Sequence, residues 1–306
     1  MPQIQKTTYQ YVRQWNQFEE AIKRLESYAA LHERPKLALD VETYWLKANF
    51  DPDSAPRPIV DNGMLEGMVK TIQIGFPPEV EDFQYIFDVE FLEDSSIDNR
   101  RKIADALRPI LEKAEVYGQN LVYEFQFMWA IYRIRLRHFR DVRYINAVLN
   151  AGNKAMRNNL GKLYDEYLDP HFFKAYTGMF QHEYEAFKKR MQTSKWRGEL
   201  SEEQLTYAAH DASRLIFELY DRMTETHEDK SMDAFMQKYE KKSGYNQTVA
   251  NPIKLEWKLI PIFAMMELKG IQYDLEYHMG TVVPFLQGIM KEKQEVVEKY
   301  FTKQVQ

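Results

Sequence analysis

Short segments rich in apolar and β-branched residues follow one another closely in the first ninety residues, and they constrain the fold more than any other feature. Lys36 to Val41, Val69 to Phe76 and Phe83 to Val89 are such segments, and Pro77 and Pro78 end the second. Each has the length and composition of a buried strand. Strands this close in sequence and joined by turns predict an antiparallel meander.

The rest of the chain mixes further strand candidates with helical patterns. Short strands are predicted at residues 7–12, 115–118 and 140–144, and helices at 14–30, 97–114, 121–133 and over most of 146–223. Strands first, then strands mixed with helices, predict an α/β domain with a mixed sheet, and we expect five strands in it.

A polar segment divides the chain. Residues 225–251 are poor in branched apolar side chains, so we expect a linker between a domain at 1–224 and a helical extension at 252–306. The 306 residues are 44% hydrophobic, which is enough for one sizeable core and a smaller second unit.

Charge and cysteine content exclude some classes of protein. A net charge of -5 argues against a protein that binds nucleic acid through the positive charge of its whole surface. It is still compatible with a local basic groove. Two basic clusters are equally compatible with such a groove or with solvated helix faces: Arg133, Arg135, Arg137, Arg140 and Arg143; Lys188, Lys189, Arg190, Lys195 and Arg197. With no cysteine, disulfides and thiolate metal sites are excluded.

No targeting signal is evident from the sequence. The first residues lack the apolar core of a signal peptide, and no run approaches the ~18 apolar residues of a membrane span. We therefore expect a cytoplasmic protein without a membrane partner.

Asp40 and Glu42 stand two apart at the end of a predicted strand, so their side chains project from the same face. Two carboxylates so placed repel each other and need a cation to stay ionised together. Hard oxygen ligands favour Mg²⁺ or Mn²⁺. By itself, such a pair of carboxylates belongs more often to a turn or to the protein surface than to a catalytic site.

Two later segments add to that pair. Residues 118–124, Gly-Gln-Asn-Leu-Val-Tyr-Glu, end a predicted strand with an amide-rich turn and begin a helix with Glu124. In the segment 204–212, Tyr207 and Asp211 are four apart and share one helix face. A phenol and a carboxylate on one face can orient a water molecule and hold a metal ion.

The three segments, in this order, resemble the ExoI, ExoII and ExoIII motifs of the DEDD exonucleases of the tyrosine subclass. That group includes RNase D and the proofreading domain of family A DNA polymerases, and residues 118–123 and 207–211 are very similar to the corresponding segments of bacterial DNA polymerase I. Residues 259–274 resemble the passage from exonuclease into thumb in family A polymerases. The resemblance spans about residues 34–300 and includes neither palm nor fingers.

The resemblance implies an RNase H-like fold and a proofreading-type 3′→5′ exonuclease. It would release nucleoside 5′-monophosphates from single-stranded DNA or primer 3′ ends, alone or with a polymerase palm-and-fingers subunit. Two Mg²⁺ or Mn²⁺ ions would be held by Asp40, Glu42, Glu124 and Asp211. Tyr207 would position the attacking water, Gln119 and Asn120 would contact the terminal nucleotide, and Thr43 would lie beside its sugar.

One position departs from the family, which has Asp where this chain has Glu124. The extra methylene displaces the carboxylate by about 1.5 Å, and misplacement of about 1 Å can cost ~100-fold in rate. We expect activity to be retained. Two alternatives stay open: an RNase D-like exoribonuclease, and a non-catalytic DNA-binding subunit whose site has decayed at Glu124.

Overall fold

The computed structural model describes residues 8–45, 67–149, 159–224 and 250–269, together with 284, 285 and 287–294. The chain divides into two compact units, Met1–Leu268 and Lys269–Gln306. In the second unit, residues 287–294 are helical. The predicted linker lies almost wholly outside the described residues, and the predicted domain boundaries stay predictions.

A mixed sheet of six strands forms the centre of the first unit, which confirms the α/β class. Each of the six candidate segments supplies a strand, one more than the five that were expected in the sheet. The strands are β1 (Thr8–Val12), β2 (Lys36–Trp45), β3 (Gly67–Gly75), β4 (Phe83–Asp88), β5 (Glu115–Gly118) and β6 (His138–Asp141). Their order is β1-β4-β3-β2-β5-β6. β2, β3 and β4 form the predicted antiparallel meander, and the remaining pairs are parallel.

Helices cover the sheet because their apolar residues recur at helical spacing. In the first helix Phe18, Ile22 and Leu25 are buried, each three or four residues from the next. The helices are α1 (Trp15–Ala30), α2 (Val89–Glu93), α3 (Ile97–Leu111), α4 (Val122–Tyr132), α5 (Val142–Leu149), α6 (Leu160–Tyr167), α7 (Pro170–Thr177), α8 (Gln181–Gln192), α9 (Glu202–Asp211), α10 (Arg214–Thr224) and α11 (Ala250–Lys269).

The last strand is displaced from its predicted position. It was expected at residues 140–144, but β6 ends at Asp141 and Tyr144 belongs to α5. The Asp141 carboxylate accepts the backbone N–H of Arg143 at 2.9 Å and so begins α5. An apolar pattern cannot show such a cap, because the change of backbone direction depends on a side-chain hydrogen bond.

Helix α11 packs on the rest of the first unit through one face. Ile253, Trp257, Ile260 and Ala264 are buried, and the Trp257 indole N–H donates to the Asp141 carbonyl oxygen at 3.2 Å. No helix in the described part of the chain combines the length and apolarity that crossing a bilayer requires.

Candidate active site

Strand β2 carries the first two carboxylates in the middle of the sheet. Asp40 and Glu42 are half-buried and alternate with buried Leu39 and Val41, as the strand period requires. The pairing register with β3 shifts directly beyond this pair, between Glu42 and Thr43. The Thr43 hydroxyl shares a hydrogen bond of 2.6 Å with the Tyr123 hydroxyl.

Helix α9 brings the third carboxylate to the same place. Tyr207 and Asp211 lie one turn apart and both are buried. The end of α9 approaches β3 so closely that a Cβ atom on Gly75 would lie 1.9 Å from the Ala212 carbonyl oxygen. Glycine at position 75 therefore permits the contact that places Asp211 against the sheet.

Asp40, Glu42 and Asp211 converge. Each offers a carboxylate oxygen, and these oxygens lie within 4.8 Å of one another. Two of these residues come from the first motif and one from the third, so the fold unites positions about 170 residues apart, as the resemblance implies.

Glu124 lies beside this trio without belonging to the tight group. It is buried in the first turn of α4, and its Oε2 atom has no hydrogen-bond partner among the described residues. Burial and the nearby charge of Asp40 raise the pKa of Glu124 well above its ordinary value. Its role as a metal ligand stays a prediction, although its charge acts on the same centre.

The turn before α4 is held by Asp141. The carboxylate of Asp141 accepts the backbone N–H of Asn120 at 3.0 Å and that of Leu121 at 2.7 Å. Asn120 has a φ of 67°, a left-handed conformation that asparagine adopts more readily than most residues. Arg143 donates to the Asn120 side-chain oxygen. Gln119 and Asn120 are half-buried, and their predicted contacts with a nucleotide stay predictions.

The electrostatics of the site favour a bound cation. Burial raises the pKa of Asp40 and of Glu42 well above their ordinary values, and the neighbouring carboxylates raise it further. Asp211 is the last residue of α9, where the helix dipole is negative and disfavours a carboxylate. Its buried Oδ1 accepts no hydrogen bond within the described residues. These oxygens fit a hard divalent ion such as Mg²⁺ or Mn²⁺.

Two other side chains of the third motif remain uncharged. Burial, followed by the charge of Asp211, raises the pKa of the Tyr207 hydroxyl well above its ordinary value, so this group is a hydrogen-bond donor at neutral pH. Burial lowers the pKa of His210 to about 4. The His210 ring packs against the rings of Tyr176 and Tyr184.

Sequence reasoning missed the role of one cation in the site. Lys188 of α8 was recognised only as a member of a basic cluster, yet its Nζ atom lies 3.7 Å from Asp211 Oδ1. The only sequence signal is its spacing of four from Tyr184, which is buried. That spacing indicates an inward-facing pair, but it does not indicate what the pair contacts.

A cavity of about 430 Å³ borders the site on the side of the second motif. Its lining includes Asn120, Tyr123, Arg143 and Tyr144, with Phe263 and Glu267 from α11. Aromatic rings, an amide and a guanidinium are groups that contact single-stranded nucleic acid.

Solved structures share this architecture at low sequence identity. Trypanosoma brucei RNase D in complex with GMP has a TM-score of 0.56 and 15% identity over 84% of this chain. The chain shares its fold with RNase D. It spans 64% of the length of that RNase D chain.

Two other nucleases have the same fold. The catalytic core of RRP6 from T. brucei has a TM-score of 0.53 and 14% identity, and the match covers 90% of this chain and 60% of that one. Brucella melitensis NrnC bound to pGG has a TM-score of 0.50 and 14% identity, over 88% and 98% of the two chains. No protein-family model and no curated protein matches the sequence.

Proposed function

We propose that this chain is a metal-dependent 3′→5′ exonuclease that releases nucleoside 5′-monophosphates. The observation that carries the proposal is the convergence of Asp40, Glu42 and Asp211 within 4.8 Å, on a fold shared with RNase D. The three motif segments occur in the order that the resemblance requires.

Each residue of the proposed site has a distinct role. Asp40, Glu42 and Asp211 hold divalent cations, and buried Glu124 completes the set. Two such ions, when bound by these residues, would supply an activated water and stabilise the leaving 3′ oxygen. Tyr207 keeps its proton and donates a hydrogen bond that orients the attacking water. Thr43, Gln119 and Asn120 contact the terminal nucleotide.

The substrate is proposed as single-stranded nucleic acid with a free 3′ end. The sequence resemblance to proofreading domains favours DNA, whereas the fold shared with RNase D and RRP6 supports the RNase D-like alternative. None of the similar structures named above is a polymerase. A palm-and-fingers partner therefore rests on the sequence resemblance alone.

One assay tests the proposal and its alternatives. DNA and RNA strands of the same sequence, labelled at the 5′ end, are incubated with Mg²⁺, with Mn²⁺ or with EDTA. We expect stepwise shortening from the 3′ end, abolished by EDTA and by Asp40→Asn. The preferred strand identifies the substrate. No shortening of either strand with either metal, while binding persists, would support a non-catalytic binding subunit.

The substitution Glu124→Asp tests the departure at the second motif. Glu124 is buried beside Asp40, so we expect wild-type activity to be substantial and Glu124→Gln to lose most of it. A large gain in Glu124→Asp would instead show that the longer side chain limits the wild-type enzyme.

A further inference from the structure

Lys188 points into the acidic cleft instead of into solvent. Its side chain is only 12% exposed, and Nζ lies 3.7 Å from Asp211 Oδ1. The same ammonium lies 5.8 Å from the centroid of the Tyr207 ring. Lysine side chains usually extend their charged end into water, so this orientation is unusual and calls for a compensating negative charge.

The rest of the basic cluster does not share this environment. Lys189 and Arg190, which follow Lys188 on α8, are exposed. Lys188 instead faces inward with Tyr184, which lies one turn before it and is fully buried. The helical period thus separates one interior cation from its solvated neighbours.

The ammonium of Lys188 is held close to the carboxylates but is not bonded to them. A separation of 3.7 Å exceeds the roughly 2.7–3.2 Å of a protein hydrogen bond. Within the described residues, the Lys188 ammonium donates no hydrogen bond, so its N–H groups are available to a molecule in the cleft.

The charge balance of a site with metal ions and substrate bound indicates a role for the Lys188 ammonium. Four carboxylates and two divalent ions are about neutral together, and a phosphodiester adds a negative charge that grows as the water attacks. Fixed positive charge placed where negative charge develops is among the strongest sources of catalysis. The charge of Lys188 already acts on both Asp40 and Glu42.

We infer that Lys188 is a further catalytic residue, whose ammonium contacts a non-bridging oxygen of the scissile phosphodiester. The inference rests on the proposed exonuclease function and adds a cation from α8 to the predicted set of residues. The competing explanation is that Lys188 is only a counter-ion for Asp211 and never touches the substrate.

The kinetic experiment compares Lys188→Met, Lys188→Arg and Lys189→Met with wild type on the labelled strand that wild type degrades. Methionine keeps the buried stem and removes the charge, and Lys189→Met removes an equal charge from the solvated face. We expect Lys188→Met to lower kcat about 100-fold with little change in KM. We expect Lys188→Arg to recover at least part of the loss and Lys189→Met to match wild type.

A binding experiment separates substrate contact from a counter-ion role without turnover. Calorimetry in Ca²⁺ measures thymidine 5′-monophosphate and thymidine binding to wild type and Lys188→Met. We expect the variant to bind the monophosphate about 10-fold more weakly and thymidine equally well, because only the phosphate meets Lys188. An unchanged ratio of the two affinities, together with tighter Mn²⁺ binding, would show a counter-ion and overturn the inference.

The two proposals fail in different ways. If wild type degrades the strand and Lys188→Met degrades it equally fast, the inference about Lys188 is wrong and the exonuclease stands. If wild type releases no nucleotide with either metal, the exonuclease is wrong and the inference falls with it.

Discussion

Two clusters of buried charge lie in the first unit, and they differ in whether the charges are balanced. In one, Lys70 contacts Asp88 at 2.9 Å and Glu90 at 2.8 Å, and Arg197 lies 3.7 Å from Glu90, so two cations face two carboxylates. The Tyr11 hydroxyl donates to Asp88. In the other, the carboxylates of Asp40, Glu42, Glu124 and Asp211 face one nearby lysine among the described residues, Lys188, which lies 3.7 Å from Asp211.

The difference is the one expected between a structural cluster and the proposed active site. Lys70 and Asp88 are completely buried, and every contact there is made within the protein, so the cluster needs no ligand. In the proposed active site, buried oxygens of Glu124 and Asp211 lack hydrogen bonds among the described residues. Stored repulsion of this kind is tolerated where a ligand relieves it.

The largest expected effect comes from the unbalanced cluster. Asp40→Asn removes a charge from the proposed metal site. We expect nuclease activity to fall roughly 1,000-fold, which corresponds to a loss of several kcal/mol of transition-state stabilisation. Unfolding in urea without metal should show no loss of stability, because the substitution also relieves repulsion. The matched control is Asp98→Asn, at a side chain that is 76% exposed. Equal activity in both variants would contradict the assignment of Asp40 to the active site.

The balanced cluster should respond in the opposite way. Lys70→Met leaves Asp88 buried without its cation, and breaking a buried pair costs about 3–5 kcal/mol. We expect that loss in the free energy of unfolding, with near-normal nuclease activity in the fraction that stays folded. Arg101→Met, which removes an exposed partner of Asp98, should change stability by less than about 1 kcal/mol. Similar stabilities for the two variants would contradict the comparison.

A smaller effect should follow from moving one carboxylate away from the others. Gly75→Ala places a Cβ atom 1.9 Å from the Ala212 carbonyl oxygen, so the end of α9 must shift and carry Asp211 with it. We expect about 1–3 kcal/mol of destabilisation from overpacking and ~100-fold lower activity from the misplaced ligand.

Gly288→Ala is the control for this substitution, since a Cβ atom there meets nothing within 4 Å. Crystal structures or metal titrations that show an unmoved site in Gly75→Ala would rule out this role for the glycine.

The smallest expected effect is a dependence of stability on pH. The folded-state pKa values of Asp40, Glu42 and Glu124 are raised, so their favourable contribution is complete below the unfolded pKa of about 4. It is lost as pH rises through the folded pKa values. In EDTA we therefore expect Tm to fall by a few degrees between pH 5 and pH 8.

Metal ions should reverse that trend. Mg²⁺ or Mn²⁺ binds the ionised carboxylates, so the stabilisation by metal should grow as pH rises. Asp40→Asn should flatten the slope in EDTA, and Asp98→Asn should leave it unchanged. A wild-type Tm that rises with pH in EDTA would contradict the raised pKa values.

Part of the fold and site could be predicted because it depends on local periodicity. Alternation along β2 places Asp40 and Glu42 on one face, and the helical period pairs Tyr207 with Asp211. The end of β6 was misplaced because a side-chain hydrogen bond of Asp141, and not an apolar pattern, begins α5 there.

The sequence by itself determined the α/β class, the three motif segments and the candidate acidic residues, since each depends on spacing within one element. Only the tertiary structure decided that Asp211 lies beside the carboxylates of β2, because the end of α9 approaches the neighbouring strand closely at Gly75. It alone decided that Lys188 faces the site while Lys189 faces water. The physical reason is that a helix pattern identifies an inward face, whereas the packing of α8, α9 and the sheet determines what that face contacts.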